Sequence, residues 1–138
     1  MSELVVNEKY RVMQVGEVYF DLADSSPTLR LIETESPFRE LEIPVALQDG
    51  QAIRNAVAGE PSARPTTGEL LSSVLERLNA NIIDIRITRF EGGIFYSELD
   101  VMFPQGRETF DCRTSDAIAL ALRQRVAAPI LCEESILG

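Results

Sequence analysis

The chain has 138 residues, 45% hydrophobic and 25% charged, with seven prolines and eight glycines, which is the composition of one ordinary globular domain spanning 1–138. Thirteen basic residues against twenty-two acidic ones leave a net charge of −9, so the whole-molecule field repels phosphate backbones and any nucleic-acid site has to be local. Histidine is absent, which excludes Ser-His-Asp and Cys-His catalysis, His-containing zinc sites and imidazole bases.

The longest apolar runs, Ala117 to Leu122 and Val126 to Cys132, fall far short of the roughly 20 residues that cross a bilayer. Met1 to Tyr10 has no basic stretch followed by an apolar one, so no membrane association and a cytoplasmic location are expected. Two cysteines, Cys112 and Cys132, lie in apolar, strand-like surroundings and read as small core residues rather than a redox pair or a metal knuckle.

Tyr10 to Asp21 and Thr28 to Glu33 are rich in strand formers, and Leu41, Ile43 and Val45 alternate with Glu42 and Pro44 as a half-buried strand does. Thr34 to Pro37 supplies the turn between antiparallel strands. From Asp49 the period becomes helical, with Ala52, Ile53, Ala56 and Val57 on one face and Gly59 placed to stop the helix in a left-handed conformation. Glu60 to Pro65 cannot continue it. Thr66-Thr67-Gly68-Glu69 is a capping box, opening a second helix with Leu70, Leu71, Val74, Leu75 and Leu78 on one stripe and an end near Asn79.

Ile83, Ile85 and Ile87 alternate with Asp84, Arg86 and Thr88, and across Glu91-Gly92-Gly93 a second run places Phe95, Leu99, Val101 and Phe103 at period two, the pattern of a hairpin. Pro104-Gln105-Gly106 predicts a type II turn with glycine at the positive-φ position, returning Glu108 to Cys112 as a third strand. Thr114-Ser115-Asp116 starts a third helix with a hydroxyl N-cap, its apolar residues running from Ala117 to Val126, and Pro129 precedes a short strand to Cys132. The fold class is α+β: a mostly antiparallel mixed sheet with three main helices, in the order β-β-β-α-α-β-β-β-α-β.

The densest polar cluster, Asp111 to Asp116, lies where a strand gives way to a helix and backbone N–H groups point outward. Arg113 offers a planar fork suited to phosphate or carboxylate, and Asp111 with Asp116 can hold a divalent cation through oxygen. The alternative is structural: Thr114 or Ser115 caps the helix, Asp116 complements its dipole, and Arg113 pairs with a carboxylate such as Asp111 or Glu134. Arg64, before the second helix, either presents a guanidinium beside that helix's first amides or ties two loops together. Glu133-Glu134 supplies further metal-binding carboxylates or a final helical turn.

The string Asp111-Cys112-Arg113-Thr114-Ser115-Asp116-Ala117-Ile118-Ala119-Leu120-Ala121-Leu122-Arg123 resembles the D-A-R-P-S-D-A-I-A-L-A-L-R signature of the bifunctional nuclease domain family. Arg64-Pro65-Thr66-Thr67-Gly68-Glu69-Leu70-Leu71 resembles its R-P-x-T-H-D-L-L, Gly93 to Leu99 its G-x-F-Y-A-x-L, and Pro129 to Glu134 its P-I-x-x-x-E. Asp49-Gly50-Gln51-Ala52-Ile53 is similar to its E-A-x-A-I, with Asp for Glu. The resemblance implies a small bacterial or plant-type α+β domain, plant members of which degrade DNA and RNA. The family's usual histidine falls at Gly68 and the adjoining Asp at Glu69, so no mechanism using that histidine as a base applies to this chain.

Two functions follow as expectations. In the first, the chain is a divalent-metal-dependent nuclease: Asp111, Asp116 and Glu134 hold Mg2+ or Mn2+, Arg64 and Arg113 clamp the phosphate, and Ser115 completes the site. In the second, it is a noncatalytic binding or assembly module, its signature residues forming an internal network and its sheet offering a surface for a homo-oligomer. The feature that separates them is whether Arg64 and Arg113 converge on one cleft with two or more carboxylates.

Overall fold

The structure is a computed structural model that describes residues 9–20, 26–60 and 63–138. In chain order it runs through strands β1 (Tyr10–Tyr19), β2 (Thr28–Glu33) and β3 (Glu40–Pro44), helices α1 (Leu47–Ala58) and α2 (Thr67–Arg77), strands β4 (Asn81–Glu91), β5 (Ile94–Phe103) and β6 (Gly106–Arg113), helix α3 (Thr114–Arg123), strand β7 (Ile130–Glu133) and a 3-10 turn, Glu134–Leu137. This is the α+β order that the sequence predicts. Asp21, Pro61, Ser62 and most of the N-terminal stretch read for a leader lie outside the described residues. Among the described residues no helix is long and apolar enough to cross a membrane.

The seven strands make one mixed sheet, β3-β2-β1-β7-β4-β5-β6. Two antiparallel three-stranded halves meet at β7, which runs antiparallel to β1 and parallel to β4, with Ile130 beside Ile85 and Cys132 beside Ile87. Helices α1 and α3 cover one face. Leu29 and Leu31 of β2, Ile85 and Ile87 of β4, Val101 of β5, Ile53 of α1 and Ile118 of α3 are fully buried there. Each such side chain contributes roughly 1.5–3 kcal/mol through removal from water. Gly50 lets α1 close on the sheet, since a Cβ at that position would lie 2.8 Å from Pro27 Cγ.

The local signals of the sequence are met where the chemistry is local. Gly59 ends α1 at φ 72 and Asn79 follows α2 at φ 58, both left-handed. Thr66 Oγ1 accepts from the Glu69 amide at 3.2 Å while the Glu69 carboxylate accepts from the Thr66 amide at 2.8 Å, closing the capping box. Gly92 and Gly93 both take positive φ in the β4–β5 hairpin.

Four details depart from expectation. A bulge between Ile82 and Asp84 turns Ile82 inward, and Ile83 is only half-buried. In the β5–β6 turn the central residues are Pro104 and Gln105, neither at positive φ; Gly106 follows them, opposite Phe103, so the turn is not type II. Helix α3 begins after Arg113 with no side-chain cap, because both expected hydroxyls are engaged elsewhere. The Thr114 and Ser97 hydroxyls bond each other at 2.5 Å, and Ser115 donates to Asp49 at 3.4 Å. Finally, α3 stops at Arg123 and Val126 lies exposed in the loop beyond it.

The opposite face of the sheet carries charge. Asp100, fully buried, accepts from Arg86 at 2.9 and 3.1 Å, Arg107 at 3.0 Å and Thr109 at 2.6 Å. Burial raises the Asp100 carboxyl, but these donors outweigh it and hold the group well below the usual range, while burial and the Asp100 carboxylate push its cross-strand neighbour Asp84 up.

Candidate functional site

The site begins with helix α2, which stands off the sheet. Its amphipathic stripe does form, but only Leu75 packs against the core; Leu70, Leu71, Val74 and Leu78 are exposed, and no α2 residue is buried. The helix leans on α3, and the Glu69 carboxylate pairs with Arg123 of α3 at 3.0 Å. Between α1, α2, α3 and the β5–β6 end of the sheet this leaves a groove of about 1100 Å3. Leu71 and Leu75 form one wall, Leu99, Val101 and Phe103 line it from β5, and Phe110 and Cys112 from β6.

The polar end is Arg113. Its guanidinium makes a two-pronged contact with Asp116, Nε and Nη2 each at 2.9 Å, and reaches Asp49 of α1 at 3.3 and 3.5 Å. The Asp116 carboxylate holds the Arg113 pKa above its ordinary value. The side chain is 65% exposed, so the pair belongs to the surface and not to a sealed lock. Ser115 is buried with its hydroxyl on Asp49, and Asp111 is exposed at the groove rim. Burial pushes the Cys112 thiol up to about 11 and Cys132 up to about 12, so neither is a thiolate nucleophile near neutrality.

Of the residues singled out from the sequence, the fold gathers Asp111, Arg113, Ser115 and Asp116 at this groove and adds Asp49. Arg64 is exposed in the loop before α2 and does not line it. Glu134 is drawn to another place, pairing at 2.6 Å with Arg39, whose guanidinium also holds Glu33. Asp49 is the residue that the pattern around 111–116 could not supply, because it arrives from 64 positions away through helix packing. The signal for it was the Asp49 to Ile53 segment, similar to a family motif that begins with an acid. Gly68, at the position of the family's usual histidine, also lines the groove, and a Cβ there would meet only Thr66 Oγ1, at 4.0 Å.

The donor set does not fit a divalent cation. Asp49 and Asp116 are both engaged by the Arg113 guanidinium, and among the described residues no three acidic or thiol groups gather in a way that could hold a metal ion.

A seven-stranded α+β domain with an open groove at a strand-to-helix junction is the class that the fold and site define. Residues 30–138 match the bifunctional nuclease domain, and the chain belongs to that family. It is similar to two proteins of Mycobacterium tuberculosis, uncharacterized protein MT1877 of strain CDC 1551 and uncharacterized protein Rv1829 of strain H37Rv. Each is 31% identical over 126 residues, covering 91% of this chain and 73% of the relative.

Proposed function

We propose that this chain is a noncatalytic binding module of the bifunctional nuclease domain family, whose groove takes an amphipathic, basic peptide segment. The observation that carries the reading is the pairing of a long apolar wall with a mouth of net negative charge. Leu71, Leu75, Phe103 and Phe110 offer a slot for apolar side chains, as helix-in-groove sites do. At the mouth the Arg113 guanidinium is set against two carboxylates, Asp49 and Asp116, so a lysine or arginine is favoured there and a phosphate is not. No imidazole stands in the groove to move a proton at neutral pH.

A second reading, metal-dependent hydrolysis of DNA or RNA phosphodiesters, is favoured by family membership. It asks Arg113 to exchange its carboxylates for a phosphate and asks Asp111 and Asp116, with Asp49, for a cation although Asp49 and Asp116 are already engaged by that guanidinium.

One set of preparations tests both. Binding of a labelled helical peptide with a leucine face and a lysine face is measured by fluorescence anisotropy, beside a leucine and glutamate counterpart. The lysine peptide is expected to bind better, and Leu71→Asp is expected to weaken it at least tenfold. In parallel, labelled single-stranded RNA and DNA are incubated with Mg2+, Mn2+ or EDTA. Cleavage that EDTA abolishes and that a folded Asp116→Ala variant lacks would overturn the binding-module reading in favour of the nuclease.

A further inference from the structure

The two edges of the sheet differ in a way that bears on self-association. The β3 edge is short, five residues from Glu40 to Pro44, ends in a proline and carries Glu40 and Glu42. A second β3 laid against it would bring glutamate against glutamate, so this edge is guarded. The β6 edge is eight residues long, pairs with β5 from Gly106 to Arg113 without a bulge, and contains no proline. Among the described residues no strand pairs with its outer side. The Pro104-Gln105 loop closes on the pair Phe103 and Gly106, the hydrogen-bonded pair of a two-residue hairpin. Gly106, Glu108, Phe110 and Cys112 therefore spend their backbone groups on β5, while Arg107, Thr109, Asp111 and Arg113 turn theirs outward.

From this we infer that β6 pairs antiparallel with β6 of a second copy of the chain, around a two-fold axis at Thr109. Registers that bring outward backbone groups together differ by steps of two residues, and side-chain charge discriminates among them. With Thr109 opposite Thr109 of the second copy, Arg107 faces Asp111 and Asp111 faces Arg107, giving two cross-strand ion pairs. One step in one direction opposes Glu108 to Glu108; one step in the other opposes Arg107 to Arg113; a further step opposes Asp111 to Asp111. The register centred on Cys112 also sets Asp111 against Arg113 but overlaps only residues 111 to 113, so the charges are self-complementary along the length of the strand in one register only. Arg107 is already directed on that face, giving Nη2 to Asp100 at 3.0 Å and leaving further N–H groups for the second copy's Asp111. The pairing doubles the seven-stranded sheet into one continuous sheet. It does not depend on the peptide reading of the groove, and it uses the face opposite α1 and α3 for its ion pairs.

The test is the molar mass of the full chain in solution, by light scattering coupled to size exclusion, from low micromolar to near-millimolar concentration. A dimer of twice 15.3 kDa is expected, weakening as salt screens the ion pairs. Asp111→Arg, which sets arginine against Arg107, is expected to raise the dissociation constant at least tenfold, and Asp111→Glu to leave it within a few-fold. Thr109→Pro removes an outward N–H that β5 does not use and is expected to give monomer as well. Circular dichroism of each variant confirms that it is folded. A wild-type monomer throughout the range, or a dimer that survives both Asp111→Arg and Thr109→Pro, would overturn the inference, the latter by placing the contact elsewhere, such as the exposed stripe of α2.

Discussion

Helices α2 and α3 lie side by side and both carry an apolar stripe, yet α3 buries six of its ten residues and α2 none of its eleven. The difference is in their neighbours. Helix α3 rests on the central strands, with Ala117 and Ala121 small enough to let the backbone close on them, and Ile118 fills the space between. Helix α2 touches α3 along one flank and has the groove beneath it. An amphipathic pattern tells where a helix can bury a face; it does not tell whether anything is there to bury it against.

Three measurements break or sharpen that contrast. The largest effect is expected from Ile118→Ala, which empties a fully buried site and should cost about 3–4 kcal/mol in urea unfolding, whereas Leu71→Ser on α2 should stay within about 0.5 kcal/mol. Equal losses would mean that α2 is packed as tightly as α3. Next comes a charge cluster of the sealed kind. Glu33 is fully buried between Arg11, at 2.6 Å, and Arg39, which donates its backbone amide at 2.7 Å and its guanidinium at 2.8 and 3.1 Å. Chiefly the Arg39 side-chain hydrogen bonds lower the Glu33 carboxyl from its ordinary 4.5 to about 2.

The sign follows from that direction. A carboxylate whose folded pKa is depressed adds stability that is complete above about pH 4.5 and is lost as the pH falls through about 2. Glu33→Gln should therefore cost about 3 kcal/mol near neutrality and flatten the acid side of the stability profile. A profile unchanged in shape would show that the two arginines do not hold this carboxylate in solution. The smallest loss belongs to the capping box, where Thr66→Ala should cost about 1 kcal/mol in the same unfolding assay. A cap that costs nothing would place the start of α2 among its mobile parts.

Much of the fold was legible because much of it is local. A Thr and a Glu three residues apart, a glycine after a helix and two glycines between strands act within a few positions, and each does in the structure what its chemistry predicts. What could not be read are the contacts that only packing creates. Thr114 and Ser115 look like caps, but the sheet offers Thr114 the Ser97 hydroxyl and α1 offers Ser115 the Asp49 carboxylate, and both hydroxyls leave the helix end. Glu134 sits in a family-like motif with the acids of the site, yet β7 carries it to Arg39. Asp49 joins Arg113 only because Gly50 seats α1 against the sheet. Glu33 and Asp100 ended in the interior although their strands read as ordinary alternation, since arginines on neighbouring strands, Arg11 for Glu33 and Arg86 for Asp100, and Arg39 in the loop before β3 were placed to meet them.

The position of β7 has a consequence for how the molecule is assembled. It is the last strand in chain order and the one in the middle of the sheet, bonded to β1, more than a hundred residues earlier, on one side and to β4 on the other. On the ribosome, β1 with β2 and β3, and β4 with β5 and β6, are made as two separate hairpin sets with an open edge each. Among the described residues no strand joins them within the sheet until Ile130 to Glu133 has slid between. Closure of that long loop is the expected slow event, and before it both inner edges stand available to other chains.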